Sequence, residues 1–247
     1  MQNIPSSLFP RTEGLTFGDL ICRDKTHFDS ALQKLFSDLV DCHRTTHAIS
    51  MQKYPGVLPR RQGAPLLAAP WICSVSHKYD RAVVAVGCGH HETTSGHTGA
   101  KVVQSVGIDL EEWMPAVRAE KVARRVLGAS PLPLGSENIF NLPQRRFEAL
   151  VLSIVFSAKE ALFKCLYPIV KRPFYFEAAQ VTRIDFKTRA FCIALTTSWS
   201  VDFPEGFKMT GSFAVSGAAG NILTDQHIQK CGQTTDGIFV NTALVLF

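Results

Sequence analysis

The stretch from Arg145 to Leu166 constrains this chain more than any other. Ala149, Leu152, Ile154, Val155, Leu162 and Phe163 are spaced so that a helix built from it is apolar on most of its faces. Such a helix needs partners on several sides, so it is expected to run through the middle of the fold. Pro168, which lacks an amide hydrogen and clashes with the preceding turn, is expected to stop it.

The rest of the chain supplies enough material to surround such a helix. Its 247 residues suffice for one large domain or two modest ones. Hydrophobic residues make up 46%, with 17 Phe, so a sizeable core is available, and 19% charged residues is too few to keep a chain disordered. The net charge of +5 favours anionic partners in general. The basic residues come in pairs such as Arg60-Arg61, Arg124-Arg125, Arg145-Arg146 and Lys171-Arg172, not in one run, so nucleic acid is not the expected partner. Seven cysteines, an odd number with no C-x-x-C pair, argue against a disulfide framework and a structural zinc site, and for a reducing compartment. Met1 to Arg11 lacks the charged and apolar regions of a secretory signal, and no run of about 18 apolar residues offers a membrane span. A cytoplasmic monomer is the expectation.

Helices are expected over Phe28–Val40, capped by Asp24 or Thr26, and over Val117–Leu127. Tyr54–Pro70, rich in Pro, Gly and Arg, reads as an ordered loop. Strands are expected at Ile72–Val75, Ala82–Val86, Lys101–Leu110, Phe174–Phe176, Gln180–Asp185, Ala190–Leu195, Gly211–Ser216, Asn221–Thr224 and Ile238–Phe247. This is an α+β pattern, and two similar α+β halves meeting near residue 105 would account for it. Gly87 to Gly99 holds His90, His91 and His97. Histidines in such a Gly/Thr/Ser-rich stretch suit a solvated loop better than a metal site.

Two stretches carry chemistry. In Gly107-Ile108-Asp109-Leu110-Glu111, alternation along a strand points Asp109 and Glu111 to one face and Ile108 and Leu110 to the other. Two such carboxylates can ligate Mg²⁺, although acids at a strand end also occur as solvated termini or helix caps. In Phe156-Ser157-Ala158-Lys159-Glu160-Ala161-Leu162-Phe163-Lys164, Glu160 and Lys164 share a helical face, as a surface ion pair also would. Lys159 adds a second cation, and Ser157 is small and polar among bulky neighbours. Upstream, Ser76-His77 falls after one strand and before the next. Its hydroxyl, imidazole and turn amides could bind phosphate, or the segment is a structural turn.

With these residues in place the chain resembles the 4′-phosphopantetheinyl transferases, in particular the large two-half class that includes enterobactin-type and surfactin-type members. The family's G-[IV]-D-x-E strand is matched by Gly107–Glu111, and its [FW]-S-x-K-E-[AS]-x-x-K helix by Phe156–Lys164. Its S-[ILV]-[ST]-H turn is matched by Ser74-Val75-Ser76-His77, and a weaker Arg- and Gly-containing loop with G-x-P by Arg60-Arg61-Gln62-Gly63-Ala64-Pro65. The resemblance is specific over residues 60–165. The family's basic helix is only loosely matched around Asp41–Thr46.

The resemblance implies a pseudo-two-fold α+β fold, with residues 1–105 as the N-terminal half and 106–247 as the C-terminal half. Coenzyme A would lie at the seam, and Mg²⁺ would be held by Asp109, Glu111 and Glu160. The activity implied is transfer of the phosphopantetheine arm of coenzyme A to a serine of an apo carrier-protein domain. Peptidyl or aryl carriers of siderophore and peptide synthases are the first expectation. A broad-range enzyme serving acyl carriers, or a non-catalytic coenzyme A-binding relative, is the alternative. Lys159 and Lys164 would meet phosphates, as would Ser76 and His77 and either Arg60 or Arg61. Glu160, or else Glu111, would take the proton from the attacking serine. Asp109 and Glu160 are both expected to be exposed to the cleft.

Overall fold

Alternation along strand β6 (Arg81–Cys88) ties the molecule together, because every residue of this strand is buried. Ala82, Val84 and Val86 face one apolar cluster while Val83 and Ala85 face another. A strand covered on both faces has no room for the polar alternation of a surface strand. In the computed structural model the described residues are 4–5, 15–22, 27–46, 60–61, 64–65, 71–89, 103–133, 135, 137–173, 175–219, 221–230 and 237–246.

The first sheet contains β1 (Ile4–Pro5), β2 (Leu15–Ile21), β5 (Trp71–Lys78) and β6, in the order β1-β2-β6-β5. β3 (Arg60–Arg61) and β4 (Ala64–Pro65) pair with each other in a separate short ladder. Helix α1 (Phe28–Thr46) packs Leu32, Leu35, Phe36, Leu39 and Val40 against Ala82, Val84 and Val86. These positions repeat every three or four residues, the spacing of one helical face.

The second sheet runs β7-β11-β10-β9-β8, formed by β7 (Ser105–Glu112), β8 (Ala179–Asp185), β9 (Ala190–Leu195), β10 (Lys208–Ser216) and β11 (Phe239–Leu246). Between β7 and β8 lie α2 (Ala116–Leu127), α3 (Gln144–Val170) and a 3₁₀ turn at Phe176–Ala178, and a short α4 (Asp225–Lys230) precedes β11. Every strand pairing in both sheets is antiparallel. In each sheet the first long strand pairs with the last, and the last with the one before it: β2-β6-β5 and β7-β11-β10. In each, too, a long helix follows that first strand and packs on it.

A glycine sits under each of these helices. A Cβ on Gly107 would stand 1.9 Å from the Ala161 carbonyl oxygen and 2.5 Å from the Cys165 nitrogen. Helix α3 therefore rests on the bare backbone of β7. Ser105 strengthens the contact by donating its hydroxyl to the Cys165 carbonyl at 2.5 Å. Gly18 does the same for α1 more loosely, because a Cβ there would meet the tips of Leu39 and Leu35 at 2.7 and 2.9 Å. From Phe147 to Leu166, α3 is buried apart from Glu148, Phe156, Glu160, Phe163 and Lys164. Burial of each large aliphatic side chain is worth about 1.5–3 kcal/mol, so this helix anchors the second sheet.

The long buried helix is where the sequence puts it, but Pro168 does not stop it. The helix continues to Val170 and ends at Lys171, which adopts the left-handed conformation at φ 55° and donates its N–H to the Tyr167 carbonyl. A proline in the final turn removes a single ladder hydrogen bond, a loss that this end tolerates. Three strand expectations also change. Phe176 belongs to the 3₁₀ turn, Ile222 makes one isolated bridge to Ser216, and Ser76 to Lys78 continue β5 so that only Tyr79 and Asp80 turn. Asp24, Thr26, the His90–His97 segment and most of Tyr54–Pro70 lie outside the described residues. Among the described residues, no helix is long and apolar enough to cross a membrane.

Candidate active site

Strand β5 runs beside β7 in the same direction, and serine hydroxyls fasten the two. The Ile108 N–H donates to Ser74 Oγ at 3.0 Å and the Leu110 N–H to Ser76 Oγ at 3.1 Å. Ladder spacing therefore aligns the S-x-S of one strand with the I-x-L of the other. Ile108 and Leu110 turn their side chains into the apolar seam between the sheets with Leu15, Phe17, Val83 and Ala85. Asp109 and Glu111 turn the other way, toward α3.

Asp109 is the hub. Its Oδ1 accepts from the Ser76 hydroxyl at 2.9 Å and from Lys164 Nζ at 2.7 Å, and its Oδ2 accepts from the Ser157 hydroxyl at 2.8 Å. Ser157 Oγ also lies 2.9 Å from Thr242 Oγ1. Because the single Ser157 hydrogen goes to Asp109, Thr242 must be the donor there. Thr242 stands opposite Asp109 in the β7–β11 ladder. Ser76 is fully used: it donates to Asp109 and accepts from Leu110 N–H and, at 2.8 Å, from Lys164 Nζ. Asp109, expected to be exposed to the cleft, is buried with only 6% of its surface accessible. A buried carboxylate requires such partners to remain charged.

Glu111 is buried as well. Its Oε1 lies 2.8 Å from Lys78 Nζ and 3.9 Å from Arg118, and it accepts the Glu112 N–H at 3.0 Å. Glu160 faces the same space from α3. Burial raises its pKa, nearby Asp109 and Glu111 push in the same direction, and Lys164 opposes them. Asp109, Glu111 and Glu160, with Ser76, Lys78, Phe156 and Lys164, line a cleft of about 430 Å³, which His77 borders.

The structure brings Asp109, Glu111, Glu160, Lys164, Ser76 and His77 to this cleft. His77 is exposed and alternates with Ser76 along β5, so its ring lies on the other face of the strand. Lys159 is not at the cleft, contrary to expectation. Its ammonium donates to the Val126 carbonyl at 2.6 Å and the Phe176 carbonyl at 2.7 Å, joining the last turn of α2 to the 3₁₀ turn. Neighbouring helical residues are about 100° apart around the axis, so Lys159 and Glu160 diverge. Burial lowers the Lys159 pKa to about 8, and Glu177 partly opposes this. The side chains of Arg60 and Arg61 lie outside the described part of the structure. Sequence reasoning missed Lys78, Arg118 and Thr242, which belong to no motif, and gave Ser157 no partner.

A hard divalent cation suits the cleft's all-oxygen donor set, and the charge that Asp109 and Glu111 impose on Glu160 would be relieved by one. Among the described residues, however, no three acidic, imidazole or thiol groups are gathered closely enough to hold a metal as they lie. An ammonium also stands on an oxygen of both Asp109 and Glu111. In donor type, though not in their present spacing, these residues fit the cation.

Residues 105–206 match a family model described as the 4′-phosphopantetheinyl transferase superfamily. The matched segment is less than half of the chain, runs from the start of β7 past β9, and contains both Gly107–Glu111 and Phe156–Lys164. No curated protein matches the chain.

Proposed function

We propose that the protein transfers the 4′-phosphopantetheine arm of coenzyme A to a serine hydroxyl of an apo carrier-protein domain. The observation that carries this reading is the junction of the two matched stretches. Asp109 and Glu111 of one and Glu160 and Lys164 of the other line a single cleft, although some fifty positions separate them.

The serine oxygen attacks the phosphorus that bears the pantetheine arm. A new P–O bond forms, the bond to the bridging pyrophosphate oxygen breaks, and adenosine 3′,5′-bisphosphate leaves. Glu160 receives the serine proton. It lines the cleft, and its partial exposure leaves it within reach of a partner's side chain. Glu111, buried and already held by Lys78, is the second candidate for the base.

Asp109, Glu111 and Glu160 would hold Mg²⁺, which when bound supplies charge neutralisation to the pyrophosphate as a Lewis acid. Lys164, one-quarter exposed on the cleft wall, offers a positive charge to the same phosphates. His77 and the arginine pair at 60 and 61 are assigned to the remaining phosphate of coenzyme A. Ser76, assigned from sequence to phosphate, serves better as the pin that orients Asp109 and Lys164.

We assign the carrier to the peptidyl or aryl class, the location to the cytoplasm, the state to a monomer and the halves to residues 1–105 and 106–247. The test is incubation with coenzyme A, Mg²⁺ and a panel of apo carrier domains. A phosphopantetheine mass increment on a carrier supports the reading, and none across peptidyl, aryl and acyl carriers overturns it.

A further inference from the structure

Alternation on β5 places Ser74, Ser76 and Lys78 on one face, toward β7. The two serines cap backbone amides of β7, and the third member carries its ammonium to Glu111 Oε1 at 2.8 Å. Glu111 has a side chain only 7% exposed, so water contributes little to balancing its charge. Lys78 supplies most of that balance. Lys78 is one-quarter exposed on a flexible four-carbon stem and can leave without unfolding anything. Lys164 is held more firmly, by both Asp109 and Ser76.

We infer that Lys78 is a resident counter-ion which a divalent cation must displace from Glu111, and that the displaced ammonium then meets the diphosphate of the incoming substrate. The inference rests on the reading above that Asp109, Glu111 and Glu160 receive the cation. Its consequence is synergy. A cation arriving alone breaks the Lys78–Glu111 pair and leaves an ammonium facing it. A diphosphate arriving alone meets carboxylates. Arriving together, the cation satisfies the carboxylates and the freed ammonium satisfies the diphosphate. Thermodynamic linkage then requires each to tighten the other by the same factor.

The experiment measures Mn²⁺ affinity by the loss of the free-ion electron paramagnetic resonance signal, with and without saturating coenzyme A. It compares the wild type with Lys78→Met, Lys78→Arg and Glu160→Gln, each checked for folding by circular dichroism. Lys78→Met is expected to bind Mn²⁺ about tenfold more tightly than wild type without coenzyme A, a coupling of ordinary size. Coenzyme A should tighten Mn²⁺ in wild type and in Lys78→Arg, and much less in Lys78→Met. Equal or weaker Mn²⁺ binding by Lys78→Met, while Glu160→Gln still loses it, overturns the Lys78 inference and leaves the proposed cation site standing. No Mn²⁺ binding by any form, with or without coenzyme A, overturns both.

Discussion

The Ser157 hydroxyl donates to Asp109 Oδ2 at 2.8 Å, joining helix α3 to strand β7 at the centre of the site. Removing that hydroxyl leaves a buried carboxylate oxygen without its donor, and Thr242 without an acceptor at Ser157. Ser157→Ala is expected to cost about 1–3 kcal/mol in urea unfolding. Asp109→Ala leaves the partly exposed Lys164 ammonium and two buried hydroxyls without their acceptor, and should cost about 3 kcal/mol. Its loss of activity therefore has to be separated from its loss of fold, and Asp109→Asn is the more informative variant.

Glu160 should behave in the opposite sense. Its folded-state pKa is raised, so ionisation opposes folding, and the stability it contributes at acid pH is lost as pH rises from the unfolded value through the folded one. Glu160→Gln removes that penalty. At pH 7 the variant should melt no lower than wild type and preferably higher, with the two converging at acid pH. Phosphopantetheine transfer should nonetheless fall by about 10²–10⁴-fold, the usual contribution of a general base. Scanning calorimetry across pH and carrier mass spectrometry read the two effects separately.

Lys159 titrates with the other sign. Its pKa is about 8 when folded, against 10.5 as its ordinary value, so below pH 8 the folded state bears the whole burial cost of the charge. Between about pH 8 and 10.5 the unfolded chain binds more protons, and stability attributable to this residue rises with pH. The difference in unfolding free energy between wild type and Lys159→Met is expected to grow in favour of wild type by on the order of 3 kcal/mol across that window. A pH-independent difference would show that burial does not perturb this amine.

The two glycines under the helices should differ in what they tolerate. At Gly107 an added methyl meets backbone of α3, which cannot move without lifting the helix, whereas at Gly18 it meets flexible leucine tips. Gly107→Ala is expected to abolish soluble folded protein or cost more than about 4 kcal/mol, and Gly18→Ala about 1–3 kcal/mol as overpacking. Far-ultraviolet circular dichroism with urea titration distinguishes them.

Legibility in the sequence followed local pattern. Helix α3 was readable because its apolar faces leave no alternative, and β9 because Ala190–Leu195 is bounded by polar residues on both sides. Strand β2 was missed because Gly18 and Asp19 interrupt its apolar run. Both are there for tertiary reasons, one to admit α1 and the other to pair with Arg81 at 3.3 Å. The six-residue α4 is too short to show a period. At the site, helical spacing correctly put Glu160 and Lys164 on one face, and strand alternation paired Asp109 with Glu111. Lys159, given to the phosphates by the family resemblance, points instead to the Val126 and Phe176 carbonyls, because successive helical residues diverge by about 100°. Lys78 and Thr242 left no local sign, since their roles arise only when β5 and β11 flank β7.

The serines of β5 have a further effect, on time rather than on place. The amides of Ile108 and Leu110 point away from β11 and would open to water with the smallest fluctuation of a free sheet edge, yet each is held by a hydroxyl of the neighbouring sheet. These two hydrogens are expected to exchange with solvent when β5 and β7 part. They make an internal clock for the seam, and their exchange rates report how often the cleft ceases to exist.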